Sequence, residues 1–174
     1  MNTDYSWLPP LVPFSGKWEE YLEAIYRYFF EDFVFSKPKF GDKRVALKRH
    51  PIIKGKEATF WHFISENPPD SMSEEDRIPD FRRCERIRWP KPVMEQYGNK
   101  SAICWWKTIR PSRRGTTRRI LLALDDFSYI IVVDEHKDYV LPWTHFPVES
   151  MRRREILKQE YEKYWIAQKA GDAV

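Results

Sequence analysis

The spacing of hydrophobic residues changes half-way along this chain. Trp18, Leu22, Ile25 and Phe29 recur at helical intervals, Tyr21, Tyr26 and Phe33 widen that face, and Glu19, Glu20, Glu23, Arg27 and Glu31 lie opposite. This pattern predicts an amphipathic helix from about Gly16 to Asp32 with Ser15 as N-cap. Before it, Pro9, Pro10 and Pro13 deny residues 1–14 any regular element, and the stretch reads as an extended arm that Trp7, Leu8, Leu11, Val12 and Phe14 can pin to the body. KRVALKR, residues 43–49, alternates as a short strand does. ATFWHFIS, residues 58–65, fits a short helix starting near Glu57 or a strand, and either would pack its rings. NPPDSMSEED is a loop. Asp80 caps a further short helix with Phe81, Cys84 and Ile87 facing inward, and PVMEQYG gives another, stopped at Gly98.

The second half reads as strands. SAICWWKTI, TRRILLALD, YIIVVDE and DYVLPW are separated by breaks too short for a parallel crossover. ILLALD hardly alternates, so it should be buried on both faces. A long helix is predicted from about Val148 to Gln168, with Ile156, Leu157, Tyr161, Tyr164 and Trp165 on its apolar side. The expected fold is a single α+β domain over residues 15–174: a four-stranded antiparallel sheet between Ser101 and Trp143, packed against N-terminal and C-terminal helices.

Composition supports a packed core. Of 174 residues 42% are hydrophobic, and eight are tryptophan. Two cysteines, with no CxxC pair, exclude a disulfide scaffold. Six glycines leave little for a nucleotide-cradling loop, and neither glycine-rich phosphate-loop pattern is present. No apolar run approaches the roughly 20 residues of a membrane helix. MNTDYSWLPP does not read as a secretory signal, so a cytoplasmic location is expected, with no membrane partner.

Charge narrows the partners. The formal net charge is +4. Lys107, Arg110, Arg113, Arg114, Arg118 and Arg119 follow one another with no acid between them, and Arg82, Arg83, Arg86 and Arg88 form a second basic run. Such fields suit a polyanion, although a solvated surface has the same composition. Asp125, Asp126, Asp134, Glu135 and His136 have the chemistry to hold a hard cation, but they stand where hairpin turns want polar residues. No metal and no cofactor are expected.

What remains suits phosphoryl chemistry without metal. RNA is cleaved when one group takes the 2′-hydroxyl proton, another protonates the leaving 5′-oxygen, and cations hold the phosphate charge. Four histidines are available. His50 precedes a proline and His136 falls in a predicted hairpin turn, which leaves His62 and His145. His62, among Phe60, Trp61, Phe63 and Ile64, is either a packed core ring or an acid/base group in an apolar wall. Trp143, Thr144 and His145 close the last strand, and Arg152, Arg153 and Arg154 open the helix beyond.

GKEATFWHFIS, RCERIRWPKPVM and IIVVDEHKDYVLPWTHFPVE running into MRRREILKQEYEKY resemble the phage-associated nuclease domains grouped with barnase, the EndoU nucleases, the colicin E and D toxins and RelE. The resemblance spans about residues 43–166. It implies a helical front, a four-stranded antiparallel sheet and metal-independent endoribonuclease activity of a toxin-like kind. It puts His62 in the site role taken by a histidine or lysine near the front helix and Thr144 in the late-strand role, with Lys107, Arg88 and Arg110 as basic candidates. His145 directly after Thr144 departs from the pattern, and leaves open which residue is the base and which late residue serves. The candidate catalytic set is therefore His62, Thr144 and His145. The candidate substrate-binding set is Arg88, Lys107, Arg110, Arg113, Arg114 and Trp143. RNA is the expected substrate, and an immunity or antitoxin protein the expected partner. A non-catalytic phage or mobile-element protein that binds a protein or nucleic acid is the alternative. A nucleic-acid-binding regulator ranks below both, since no recognition-helix turn or zinc finger is readable.

Overall fold

A computed structural model describes residues 4–112 and 115–171. Its element order is α1 (Trp18–Phe29), β1 (Arg44–Val45), α2 (Ala58–Ile64), β2 (Ser65–Glu66), β3 (Ile78–Pro79), α3 (Phe81–Glu85), α4 (Pro90–Glu95), β4 (Cys104–Ser112), β5 (Gly115–Ala123), β6 (Tyr129–Glu135), β7 (Tyr139–Pro147) and α5 (Met151–Gly171). A π-helical segment, Phe30–Phe35, extends α1, and a 3-10 turn, Glu74–Asp76, lies between β2 and β3.

The four hairpin-linked strands pair antiparallel in sequence order, but the sheet has five strands rather than the four expected. Its order is β1-β7-β6-β5-β4, and β1 runs parallel to β7 through Arg44 opposite Tyr139 and Val45 opposite Val140. β2 and β3 form a separate two-stranded ribbon. The count fell short because hairpin spacing reveals only neighbours in sequence. KRVALKR contributes just two strand residues, and their partner lies far along the chain.

Each sheet face carries its own core. On one, Ile120, Leu122, Ile131 and Val133 meet Ile25, Phe29 and Phe33 of the first helical unit, Phe60 and Phe63 of α2, and Ile87 and Met94. On the other, Trp106, Leu121, Ala123, Ile130 and Val132 meet Val148 and Leu157, the latter from α5. Ile120–Leu124 are all buried, as a doubly covered strand requires.

The N-terminal arm is held by polar bonds as well as by rings. The Val12 amide donates to Glu85 O, Trp89 Nε1 donates to Pro9 O, and Tyr21 Oη donates to Val12 O. Asp80 does cap α3, accepting from the Arg82 amide at 2.9 Å. Cys84 and Ile87 point inward, but Phe81 is 43% exposed, because it stands in the first position of the helix beside Phe14 and Trp18 at the surface. Among the described residues no helix is long and apolar enough to cross a membrane.

Candidate functional site

The short helix α2 sets the site, and both its ends are tied by tertiary bonds. A seven-residue helix leaves most of its terminal N–H and C=O groups without helical partners. At the N-terminus the Ala58 and Thr59 amides donate to Arg49 O and Lys48 O, and Thr59 Oγ1 accepts from the Lys48 amide. At the C-terminus Trp61 O accepts from Ser65 Oγ, Ile64 O accepts from the Asp80 amide, and His62 O accepts from Thr144 Oγ1 at 3.1 Å. The Thr144 hydroxyl therefore holds the backbone of His62, and receives a long contact of 3.5 Å from Arg83 Nη1.

His62 Nε2 lies 2.9 and 2.8 Å from the two Glu74 carboxylate oxygens. Burial holds the imidazole below its ordinary value, with the Glu74 bond only partly offsetting it and Arg77 and Lys48 adding to the depression. Burial alone would raise Glu74, but hydrogen bonds from Lys48, at 2.8 Å, and from His62 outweigh it and keep the carboxylate ionised. The pair is thus a neutral ring donating Nε2–H to a carboxylate, a bond that fixes the tautomer and leaves Nδ1 as the basic nitrogen.

Trp143 joins this pair to a cationic cleft. Its ring stands edge-on to His62 with centroids 4.6 Å apart, and Lys48 Nζ and Arg119 Cζ each lie 5.5 Å from its centre. The β6–β7 register shifts between Val132 and Val133, so that Thr144 faces Val132, Pro142 faces Val133, and Trp143 is the extra residue. Such a bulge re-aims side chains, and here Trp143 and Thr144 line one hollow. That hollow, of about 230 Å³, is lined also by Arg110, Arg119 and Arg153, over an apolar floor of Leu121, Val132 and Leu157. Arg119 pairs with Asp134 at 2.8 Å. Arg110 and Arg153 are exposed and have no ion-pair partner among the described residues. The cleft therefore presents two uncompensated guanidiniums, one compensated guanidinium, an indole and a hydroxyl.

No protein-family model matches the chain, and neither does any curated protein or any solved structure.

The structure separates the sequence candidates into groups. His62, Trp143, Thr144 and Arg110 come together. His145 does not join them: it is 0% exposed, with Nδ1 3.0 Å from Tyr129 Oη, its ring against Phe63, and Nε2 buried without a partner. Burial, reinforced by Arg83 and Arg86, keeps it neutral far below the usual range. The sequence places it at a strand end, but β7 continues to Pro147, and His145 turns into the core. Arg88 lies over the Tyr28 ring at 4.7 Å and takes no part in the cleft. Lys107 points to the other sheet face, where it binds Glu135. Arg113 and Arg114 lie outside the described residues.

Glu74, Lys48, Arg119 and Arg153 were not chosen from the sequence. Arg119 had a readable signal, since adjacent Arg118 and Arg119 must take opposite faces of a strand. Glu74 had a weaker one: Ser73 caps its turn, accepting from the Glu75 amide, but nothing local tells which acid of SEED turns inward. Among the described residues no three of His, Cys, Asp and Glu converge as metal ligands.

Proposed function

We propose that the protein is a cytoplasmic endoribonuclease that cleaves single-stranded RNA by acid/base chemistry, with His62 as base and the three-arginine cleft as phosphate site. The observation that carries this reading is the adjacency of a carboxylate-oriented neutral histidine, across Trp143, to Arg110, Arg119 and Arg153. In the reaction His62 Nδ1 takes the 2′-hydroxyl proton, the 2′-oxygen bonds to phosphorus, and the P–O5′ bond breaks. Solvent at the mouth of the cleft protonates the leaving oxygen. The guanidiniums hold the charge that builds on the equatorial phosphate oxygens. Thr144 acts by fixing His62, and the products are a 2′,3′-cyclic phosphate and a 5′-hydroxyl. The reading agrees with the resemblance to barnase- and RelE-like nuclease domains.

His62 is only 4% exposed, so this chemistry requires Trp143 to shift as RNA enters. That same burial favours a second reading, in which the cleft binds RNA and His62 is a packed ring. One experiment separates the two. Purified protein is incubated in EDTA with an oligoribonucleotide and with its 2′-O-methyl counterpart. The enzyme reading expects cleavage of the first only, leaving cyclic phosphate ends. Binding of both with cleavage of neither supports the second reading. Binding of neither removes RNA as the ligand.

A further inference from the structure

The sheet face opposite the arginine cleft carries another concentration of positive charge. Lys43, just before β1, and Lys107 of β4 each donate to the same oxygen of Glu135 at 2.9 Å, and Lys43 also donates to His136 O at 2.9 Å. These bonds hold two ammoniums side by side on one carboxylate whose side chain is only 10% exposed. Arg118 and Lys137 line the same hollow, of about 380 Å³, and have no ion-pair partner among the described residues. Four cations thus surround one carboxylate, and the surplus is oriented before any ligand arrives. A second hollow of about 450 Å³ adjoins it, sharing Lys107, Arg118 and Glu135 and extending to Thr108 and Tyr164.

The two basic regions meet along β5. Arg118 and Arg119 are consecutive, so one side chain enters each region. A strand of RNA leaving the cleft has only to cross the exposed β4 edge, at Ile109 and Arg110, to meet the second groove.

We infer that the groove of Lys43, Lys107, Arg118 and Lys137 is a second phosphate site, which holds backbone phosphates of the RNA strand whose scissile linkage lies in the arginine cleft. This rests on the RNA reading above. It makes the substrate an extended single strand that wraps one edge of the sheet, because a short oligonucleotide cannot reach both faces.

The test uses 2′-O-methyl oligonucleotides of about three and about twelve residues, the longer one able to neutralise cations on both faces. Binding is followed by fluorescence anisotropy over a range of salt concentrations. The variant Arg118→Ala/Lys137→Ala removes two cations that hold no other residue in place, so folding is preserved and is checked by thermal melt. The long oligonucleotide should bind the variant on the order of tenfold more weakly, with a salt slope lower by about 1.4, while the short one binds unchanged. Equal affinity and slope for the long oligonucleotide overturn the second site and leave the cleft standing. Equal losses for both lengths also overturn it, since the groove would then belong to the primary site. If neither oligonucleotide binds the wild type, the RNA reading falls, and this inference with it.

Discussion

His62 and His145 sit on neighbouring elements and share a wall, for the His145 ring packs on Phe63, the residue that follows His62. Both are buried and both are held neutral by burial. Their partners differ. His62 gives one nitrogen to a carboxylate that Lys48 keeps ionised, and its ring stands against an indole that lines a cationic cleft. His145 meets Tyr129 on one nitrogen and leaves the other unsatisfied in the core. Burial is therefore common to both rings. An ionised carboxylate partner and the neighbouring cationic cleft set His62 apart, and on the proposed reading they give it acid/base use.

The largest expected effect in that comparison falls on His145. His145→Ala should cost about 3 kcal/mol of stability through the cavity it leaves and the lost Tyr129 bond, read as a denaturation midpoint, with cleavage unchanged in whatever remains folded. A folded His145→Ala protein with cleavage abolished would return this residue to the site. Next, the double variant Arg110→Ala/Arg153→Ala should weaken RNA binding by on the order of tenfold and lower the salt slope by about 1.4 with an unchanged melt, since neither cation is paired. Unaltered anisotropy curves would remove the cleft from the footprint. Thr144→Val keeps the shape but orphans the His62 carbonyl, at about 1 kcal/mol in stability. If His62 is the base, the variant should lower turnover more than affinity, because the hydroxyl holds His62 rather than the substrate. A loss confined to affinity would mean that Thr144 contacts RNA directly.

The smallest effect is the pH dependence of stability. Both histidines have folded-state pKa values below the ordinary 6.5. The unfolded chain then binds more protons than the folded one below about 6.5, so stability is fully present above that value and declines as pH falls beneath it. Melting temperatures measured from pH 8 down to pH 5 should be flat at first and then fall. A rise on acidification would mean that one histidine is charged in the fold, and Glu74→Gln would show whether it is His62.

The sequence made some of this legible and hid the rest for physical reasons. The β4–β7 hairpins could be read because both strands of each pair lie within a few residues of their turn. The Asp80 cap and the buried Ile120–Leu124 run are local in the same way. The β1–β7 pairing is not, since two residues carry no period and their partner is remote. His62 stood out by its aromatic neighbours, yet Glu74, which orients it, is one acid among several in a loop, and only tertiary contact with Lys48 singles it out. The burial of His145 was not legible because Pro147 reads as a break, whereas β7 carries a proline to its last residue. Lys107 and Arg110 look equivalent in one basic run, but odd spacing on a strand sends them to opposite faces.

Whether His62 serves as base in a metal-independent cleavage turns on the cleavage rate of His62→Gln in EDTA on an oligoribonucleotide that the wild type cuts, measured beside its thermal melt. Glutamine retains a hydrogen-bonding group and similar bulk but takes no proton near neutrality. The rate should fall by roughly a hundredfold or more, with RNA affinity preserved and the melt only slightly lowered. Wild-type cleavage by a folded His62→Gln protein would contradict that role and make His62 a second core histidine beside His145.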